Sequence, residues 1–565
     1  MEFAIPVPGE VGQPALSLDG KLLVYVSPDE KTGIPMLFVQ RVGTPAGAEI
    51  AGSEGASYPF WSPDDAEIGF FAHDKLQKVE VSGGSPRTLA KASYPRGASW
   101  GAKNVILFAP DVGGPIWRVD ADGSHAEPLT SKLIPVGQDS HRWPLFLPDG
   151  EHFLFLRARF GTEEEGRASA IYLGSLSGKD LKLLIQVRSN PGYADGHLLY
   201  VDEKKSLIAV PLDVSKGTIA GDGRVIVETV GYQPAVYRGA FTAAADGTVI
   251  YNKSSMGAQS ILTWFDRAGQ ELGKVGQTSV QANPAISPEG DRVAVDITDL
   301  RENNLDIWIE DLKKGTSTRF TFDPAEETDG VWSPDGSSIA YRSNAGGLDV
   351  KLKKAHGLEP ERMLLKAGAD AKVFGAADAF DLIPNSWTPD GQQLLCSMQT
   401  TQQESQGSEL VLVPVSGGTP TRFLASHSAK SNGQISADGK WVAFASDESG
   451  DWEVYVTTFP GAAGKWQISR GGGTEPRWRH DGKEIFYLGP TGVLMAVPVD
   501  AGETFSSGTP AELFQVRGRA PISSTDLFTY DVSRDGQRFL VNQYVKPAYV
   551  SPLTIVQHSL ADPAR

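Results

Sequence analysis

The sequence predicts an all-β protein built as two tandem six-bladed β-propellers, and three observations carry that prediction. A pattern of an apolar run, a Ser/Pro-Asp-Gly turn and a second apolar run recurs twelve times in the 565 residues. The copies lie about 47 residues apart, because the turn glycine moves from Gly20 to Gly536 in eleven steps. The segments between copies alternate polar and apolar residues, as half-buried antiparallel strands do. A period of about 40–50 residues with four short strands per unit is typical of propeller blades.

The copies differ in how well they keep the Asp-Gly turn. The clear ones are 61–72, 286–295, 332–341, 387–396, 435–444, 478–487 and 532–541. Weaker ones are 16–25, 146–156, 193–201 and 243–251, and the copy at 99–108 has lost the Asp-Gly pair. No stretch shows a sustained period of 3.6 residues, so we expect few helices.

The recurring turn has a physical basis in its residue types. Proline presets the turn dihedral, aspartate hydrogen-bonds the local backbone, and glycine adopts the positive φ that the turn requires. A tryptophan precedes the turn at positions 61, 100, 332, 387 and 478. Because it recurs at one place on the innermost strand, we expect it to pack between adjacent blades rather than to bind a ligand.

Twelve blades favour two rings, since propellers typically have four to eight blades. We therefore predict a first six-bladed propeller at 1–282 and a second at 283–565, with a seven-plus-five division as the less economical alternative. The segment 262–276 should supply the two outer strands of the sixth blade. The twelfth blade lacks an outer strand, and residues 3–8 are the spare strand that should close it, because an open edge is a liability.

Composition and charge exclude several partners. Lys plus Arg is 52 and Asp plus Glu is 69, which gives a net charge of −17. A chain this acidic is not expected to bind nucleic acid or an anionic membrane surface. Its single cysteine, Cys396, excludes an internal disulfide framework. The first residues lack the features of a signal peptide, and no run of about 20 apolar residues suggests a membrane span.

Known catalytic motifs are missing from the chain. It has no Walker A sequence, no His-Glu-x-x-His and no kinase signature. Residues 97–101 match the Gly-x-Ser-x-Gly pattern, but Ser99 should lie on an inner propeller strand, where a nucleophile elbow cannot form. The sequence therefore predicts no catalytic residue, no metal ligand, no cofactor and no enzymatic activity.

Several longer stretches resemble a known family. They are 262–276, 306–324, 446–461, 464–488 and 530–542. The chain resembles the tandem TolB-like, WD40-like (PD40) propeller region that follows the kinase domain of bacterial serine/threonine protein kinases. The resemblance spans nearly the whole chain and is strongest from about residue 240. It implies an extracytoplasmic (periplasmic or cell-surface) sensor module of a transmembrane signalling protein; kinase domain and membrane helix are both missing from this sequence.

The predicted function is thus non-enzymatic binding of a protein, peptide or glycan ligand. One alternative is a propeller enzyme, a lyase or glycosidase that acts on polysaccharide at a channel mouth. Such an enzyme needs carboxylates or histidines that converge from several blades. A further alternative is the accessory propeller of a peptidase.

Residues just before each innermost strand should circle a channel mouth and form the binding site. For the first ring these are Tyr58, Tyr94, Arg96, His141, Arg142, Asn190, Tyr237 and Arg238. The second ring has a plainer polar and acidic set: Asn283, Asp329, Asn385, Asn432 and Glu475. Tyrosine and arginine are common anchors of binding surfaces. Their concentration in one mouth predicts an anionic partner, such as a carboxylate-bearing glycan or a peptide end.

Overall fold

The computed structural model is almost entirely β-structure. It describes residues 2–5, 7, 12–44, 47–132, 139–159, 166–178, 181–233, 236–253, 259–299, 304–344, 349–357, 359–366, 380–400, 408–425, 428–518, 527–545 and 552–557. Within this part of the chain, no helix has the length and apolar character of a membrane span.

The strands are short and follow one another closely. Those up to residue 257 are β1 Glu2–Ile5, β2 Gly12–Leu16, β3 Leu22–Pro28, β4 Pro35–Arg41, β5 Ala48–Glu49, β6 Ser57–Trp61, β7 Glu67–Ala72, β8 Lys75–Glu80, β9 Arg87–Lys91, β10 Ala98–Trp100, β11 Val105–Phe108, β12 Trp117–Asp120, β13 Glu127–Pro128, β14 Ser140–Phe146, β15 His152–Ala158, β16 Ala170–Ser175, β17 Leu181–Gln186, β18 Gly192–Ala194, β19 His197–Val201, β20 Leu207–Asp213, β21 Thr218–Ile219, β22 Arg224–Val227, β23 Tyr232–Gln233, β24 Arg238–Gly239, β25 Phe241–Ala243 and β26 Val249–Tyr251. A 3₁₀ turn lies at Thr130–Lys132.

The remaining strands continue the same pattern. They are β27 Ser260–Asp266, β28 Glu271–Ser279, β29 Gln281–Ile286, β30 Arg292–Asp299, β31 Asn304–Asp311, β32 Thr316–Arg319, β33 Glu327–Trp332, β34 Ser338–Ser343, β35 Asp349–Lys354, β36 Arg362–Leu365, β37 Phe380–Trp387, β38 Gln393–Thr400, β39 Glu409–Pro414, β40 Thr421–Leu424, β41 Lys430–Ile435, β42 Trp441–Ser446, β43 Glu453–Thr458, β44 Lys465–Gln467, β45 Thr474–Trp478, β46 Glu484–Leu488, β47 Val493–Ala501, β48 Phe505–Ser507, β49 Ala511–Gln515, β50 Tyr530–Val532, β51 Arg538–Tyr544 and β52 Leu553–Val556.

The chain divides into two compact units. Unit 1 comprises 1–30, 35–257 and 546–565, and unit 2 comprises 31–34 and 258–545. In the described residues each unit contains six antiparallel sheets of four or five strands, which we call blades 1–6 and 7–12, and unit 1 also has the two-stranded sheet β23–β24. Blades 1–5 are β2–β5, β6–β9, β10–β13, β14–β17 and β18–β22, and blades 7–11 are β29–β32, β33–β36, β37–β40, β41–β44 and β45–β49. In unit 2 the innermost strands contact one another in a closed circle. The all-β propeller prediction is therefore confirmed.

Strands from distant parts of the chain complete the last blade of each unit. Blade 6 has the order β25–β26–β52–β1, and blade 12 has the order β50–β51–β27–β28. The prediction that the N-terminal strand closes the second ring is thus wrong, because Phe3 pairs with Ile555 and Ile555 pairs with Ile250. The assignment of 262–276 to the sixth blade and the boundary at 282 are also wrong, because β27 pairs along β51 in unit 2. Buried side chains explain the arrangement: Ile555 belongs to a core cluster of unit 1 and Leu262 to one of unit 2.

The recurring turn folds as its residues predict. In the copy at 332–341, Ser333 Oγ donates to Asp335 Oδ1 at 2.6 Å and accepts from Ser338 N at 3.0 Å. Gly336 has a φ of 65°. The hydrogen bonds that Asp335 accepts from Ser333 Oγ and from Ser337 N lower its pKa to about 2. The turn aspartates are therefore structural groups.

The recurring tryptophan packs between blades, as predicted. Trp61 Nε1 donates to the Ala15 carbonyl at 2.9 Å, and Trp332 Nε1 donates to the Ala285 carbonyl at 3.0 Å. Each carbonyl belongs to the innermost strand of the preceding blade, so the indole joins neighbouring blades by packing and by a hydrogen bond. Four of these five rings are buried and that of Trp478 is partly buried, in keeping with a structural role.

Candidate functional site

A β-bulge recurs in the innermost strands and brings one residue of each toward the centre of its unit. At these bulges the pairing register shifts and a non-glycine residue adopts a φ between 47° and 59°. The bulged residues are Gln13, Tyr58 and Trp143 in unit 1 and Asn283, Asp329, Asn432 and Glu475 in unit 2. Side chains at bulges are often redirected toward functional positions, so these residues define the candidate sites.

In unit 1 the bulge residues build an aromatic and cationic cluster. The rings of Tyr58 and Trp143 meet edge to face with centroids 5.1 Å apart. The guanidinium carbon of Arg238 lies 5.6 Å from each ring centroid. These residues come from blades 2 and 4 and from the β23–β24 hairpin before blade 6. Contact between non-adjacent blades places the cluster on the central axis of the unit.

Two further arginines, Arg142 and Arg96, lie beside this cluster. Arg142 is 2% exposed and donates to Ser140 Oγ at 2.7 Å and to the Val112 carbonyl at 2.8 Å. Arg96 is partly exposed, and its Nη1 donates to the Pro95 carbonyl at 2.9 Å. The buried Nε of Arg96 has no hydrogen-bond partner among the described residues.

The electrostatics of the cluster are unbalanced toward positive charge. Burial lowers the pKa of Arg142 well below its usual range, and the charge of Arg96 lowers it further. Burial also lowers the pKa of Arg238. Within the described part of the chain, no carboxylate oxygen lies within 4.0 Å of the guanidinium nitrogens of Arg96 or Arg238. An anion at this position would therefore stabilise both groups.

The structure brings some of the predicted site residues together and moves others away. Tyr58, Arg96, Arg142 and Arg238 take part in the cluster or border it. Tyr94 borders it through its backbone, and the Tyr237 hydroxyl donates to the Arg159 carbonyl at 3.2 Å. The other predicted residues of this ring, His141 and Asn190, are buried structural groups.

The placement of His141 at the channel mouth is wrong. Its side chain is 1% exposed, its Nδ1 is hydrogen-bonded to Thr130 Oγ1 at 2.7 Å, and burial lowers its pKa to about 4. Trp143 takes the expected place instead. The sequence carries a signal for Trp143. It precedes Phe146 by three residues, just as Tyr58 precedes Trp61, so aligning Phe146 with Trp61 places Trp143 at the position of Tyr58.

The centre of unit 2 is acidic, and several of its polar side chains hydrogen-bond to one another. Asn283 Nδ2 donates to Asp296 Oδ2 at 2.8 Å and to Asp329 Oδ1 at 2.7 Å. Arg342 forms a bidentate pair with Asp381 at 2.6 and 2.7 Å. Burial, and then the neighbouring Asp329, raises the pKa of Asp296 well above its usual value. Unit 2 thus shows the polar and acidic character that its sequence predicts.

A small cavity lies beside this carboxylate pair. It has a volume of about 40 Å³ and is bordered by Asn283, Asp329, Asn385, Arg477 and Phe528, among others. The guanidinium of Arg477 stacks 3.6 Å above the Phe528 ring centroid. A volume of this size admits a few water molecules but no sugar or amino acid.

One group of carboxylates in unit 2 has the spacing of a metal site. The oxygens of Asp323, Glu327 and Glu361 lie within 4.8 Å of one another. However, Lys351 Nζ lies 2.8 Å from Glu361, 3.1 Å from Glu327 and 3.7 Å from Asp323. The ammonium group of Lys351 therefore already contacts all three carboxylates that would bind a metal ion.

Ser99 does not form a nucleophile elbow. It lies on β10, is 9% exposed, and its Oγ accepts a hydrogen bond from Phe146 N at 3.0 Å. The strand continues into a turn and β11 rather than into a helix. The Gly-x-Ser-x-Gly match is therefore accidental, as predicted.

Comparisons with known proteins show relatives of the fold. No family model matches the chain. A Bacillus subtilis protein named "Uncharacterized peptidase YuxL" is 25% identical over 217 residues, which cover 31% of each chain. This chain thus spans about a third of the curated relative it matches.

Two solved structures illustrate the structural likeness. A protein assigned as TolB from Agrobacterium tumefaciens aligns with a TM-score of 0.39 and 16% identity, covering 52% of this chain and 100% of that one. An oligogalacturonate lyase from Vibrio parahaemolyticus aligns with a TM-score of 0.29 and 12% identity, covering 65% and 86%. The propeller fold of this chain rests on its own strand pairing.

The comparisons correct one prediction. The sequence predicts that the chain is not an enzyme, whereas the curated relative is named a peptidase. The prediction rested on missing linear motifs. Active sites of propellers converge from several blades, so the absence of such motifs does not exclude one.

Proposed function

We propose that unit 1 binds a carboxylate-bearing ligand at the Tyr58–Trp143–Arg238 cluster. The observation that carries this proposal is the pair of partly exposed guanidinium groups, Arg96 and Arg238, with no carboxylate within 4.0 Å in the described residues. Burying a cation without a counter-ion is costly, and a ligand carboxylate would supply the missing charge through charge-assisted hydrogen bonds.

Peptides are the first ligands to test, and uronate oligosaccharides are the second. The curated relative that is named a peptidase favours a peptide, whose C-terminus provides one carboxylate. The rings of Tyr58 and Trp143 add apolar surface beside Arg238, which suits the atoms next to that carboxylate. Uronate oligosaccharides test the alternative that the chain is a propeller enzyme acting on polysaccharide.

The test is calorimetric titration of the full chain with triglycine and with trigalacturonate. We expect one of these probes to bind, and the Arg96→Ala/Arg238→Ala double variant to lose about 10-fold or more in affinity, since each charge-assisted hydrogen bond contributes about 1.5–3 kcal/mol. Arg142 is left in place because its removal would strip buried carbonyls of their donor.

The matched control is the Arg41→Ala/Arg87→Ala variant, which removes the same charge from exposed ends of outer strands in unit 1. It should bind as the parent does. Failure of both probes, or unchanged affinity in the double variant, refutes the site. Mass spectrometry of the same mixtures measures whether the chain cleaves what it binds.

We further propose that the binding unit faces the outside of the cytoplasm, as part of a signalling protein. The resemblance to propeller regions of bacterial kinases supports this placement. Protease accessibility of the chain in cells whose outer membrane has been permeabilised, compared with lysed cells, tests it. Protection of the chain in the permeabilised cells would contradict a location outside the cytoplasm.

A further inference from the structure

A short loop, residues 109–112, forms one wall of the proposed binding site. The Ala109 carbonyl accepts from Arg96 N at 2.9 Å, and the Pro110 carbonyl accepts from Tyr94 N at 2.9 Å. The Val112 carbonyl accepts from Arg142 Nη2 at 2.8 Å. Asp111 lies between these anchored carbonyls, so its backbone is held beside the arginines of the site.

The carboxylate of Asp111 is available to a ligand. One oxygen accepts from the backbone N of Val112 at 2.6 Å, and that is its one hydrogen bond within the described chain. The side chain is exposed, and no lysine or arginine nitrogen of the described residues lies within 4.0 Å of it. Desolvation raises the pKa of this carboxylate to about 6, and the nearby charges of Arg96 and Lys91 oppose that rise.

The site therefore presents charges of opposite sign to one ligand. Arg96 and Arg238 would bind an anionic group of the ligand, and Asp111 would bind a cationic one. A ligand with a carboxylate alone would place a second negative charge near Asp111, which disfavours simple acids. A ligand with both charges would satisfy the two sides at once.

We propose that the unit 1 site binds short peptides whose two termini are both unblocked. The α-carboxylate lies against Arg238 and Arg96, and the α-ammonium donates to Asp111. This inference rests on the proposed carboxylate-binding function and deepens it by naming the second recognised group. An extended chain spans about 3.3–3.6 Å per residue, so a series from glycine to tetraglycine measures the separation of the two subsites.

The experiment compares triglycine, N-acetyltriglycine and triglycine amide by calorimetry on the full chain. With the parent protein, both blocked peptides should bind at least 10-fold more weakly than triglycine. In Asp111→Asn, triglycine and its acetylated form should bind equally, whereas the amide should remain the weaker ligand. Asparagine keeps an oxygen for Val112 N, and an unchanged melting temperature verifies that the variant folds.

The control is Asp122→Asn, which makes the same chemical change in the exposed turn between β12 and β13. It should keep the preference for triglycine over N-acetyltriglycine. Equal binding of these two peptides by the parent, or an undiminished preference in Asp111→Asn, overturns the inference while leaving carboxylate binding intact. If no peptide binds with or without a blocked amine, both the inference and the choice of peptides are wrong.

Discussion

Replacement of Ile555 by alanine tests how unit 1 is closed. Ile555 lies on β52 between β26 and β1, and its side chain is fully buried with Ile5, Ile250 and Leu553. The substitution removes three carbon atoms from a packed cluster and leaves a cavity between two segments that are distant in the sequence. We expect unit 1 to lose about 3–4 kcal/mol of unfolding free energy, within the range for Ile→Ala in cores.

The assay must report which unit is affected. For a unit of this size, such a loss lowers the melting temperature by on the order of 10 °C. Hydrogen exchange with mass spectrometry should show faster exchange in the strands of blades 1 and 6, while blades 7–12 stay unchanged. Val225→Ala, at a 54% exposed position of the same unit, is the control and should change little. Faster exchange in blade 12 instead of blade 6 would refute the assignment of β52.

Three further predictions concern stability. Arg342→Ala leaves the carboxylates of Asp381 and Asp329 without their cation, so denaturant unfolding of unit 2 should show a loss of about 3 kcal/mol, the lower end of the range for a buried pair. The pKa values of Asp296 and Asp329 are raised in the folded state, so the folded state binds protons more tightly than the unfolded state. This proton binding adds to the free energy of unfolding fully below the unfolded pKa, and the added stability is lost as the pH rises through the folded pKa. Urea titrations between pH 4 and 8 should show that decline, and Asp296→Asn should reduce it; a profile that Asn leaves unchanged would assign it to other groups. Finally, Gly69→Ala places a Cβ 2.1 Å from the Phe60 ring and should cost about 1–3 kcal/mol, whereas Gly221→Ala, 3.6 Å from its nearest neighbour, should be nearly neutral by thermal melting.

The sequence predicts the inner strands well because their chemistry is local. Proline, aspartate and glycine define each turn by their own dihedrals and hydrogen bonds. The tryptophan before the turn packs only against the neighbouring blade. The outer strands of blades 6 and 12 carry no such marker. Leu553 and Leu262 are apolar strand residues that would fit either unit, so only the packing of distant segments decides where they belong.

The candidate site likewise combines residues that local sequence can place with residues that it does not mark. Tyr58 and Arg238 could be placed because they precede inner strands in a regular frame. Trp143 could have been placed by the same spacing, since it precedes Phe146 as Tyr58 precedes Trp61, whereas Asp111 lies on a loop between blade strands that the repeat does not mark. Their role follows from contacts among blades 2, 3, 4 and 6, which are far apart in the chain.

The pairing of β1 with β52 also sets the order in which the protein can be completed during synthesis. All the strands assigned to unit 2 have left the ribosome once residue 544 has emerged, whereas blade 6 must wait for residue 556. The N-terminal unit is therefore finished last, the reverse of the usual order in which domains fold as they are made. Until residue 556 has emerged, the edge of β26 that pairs with β52 stays open. A chain that is truncated before β52 would therefore keep this edge unpaired.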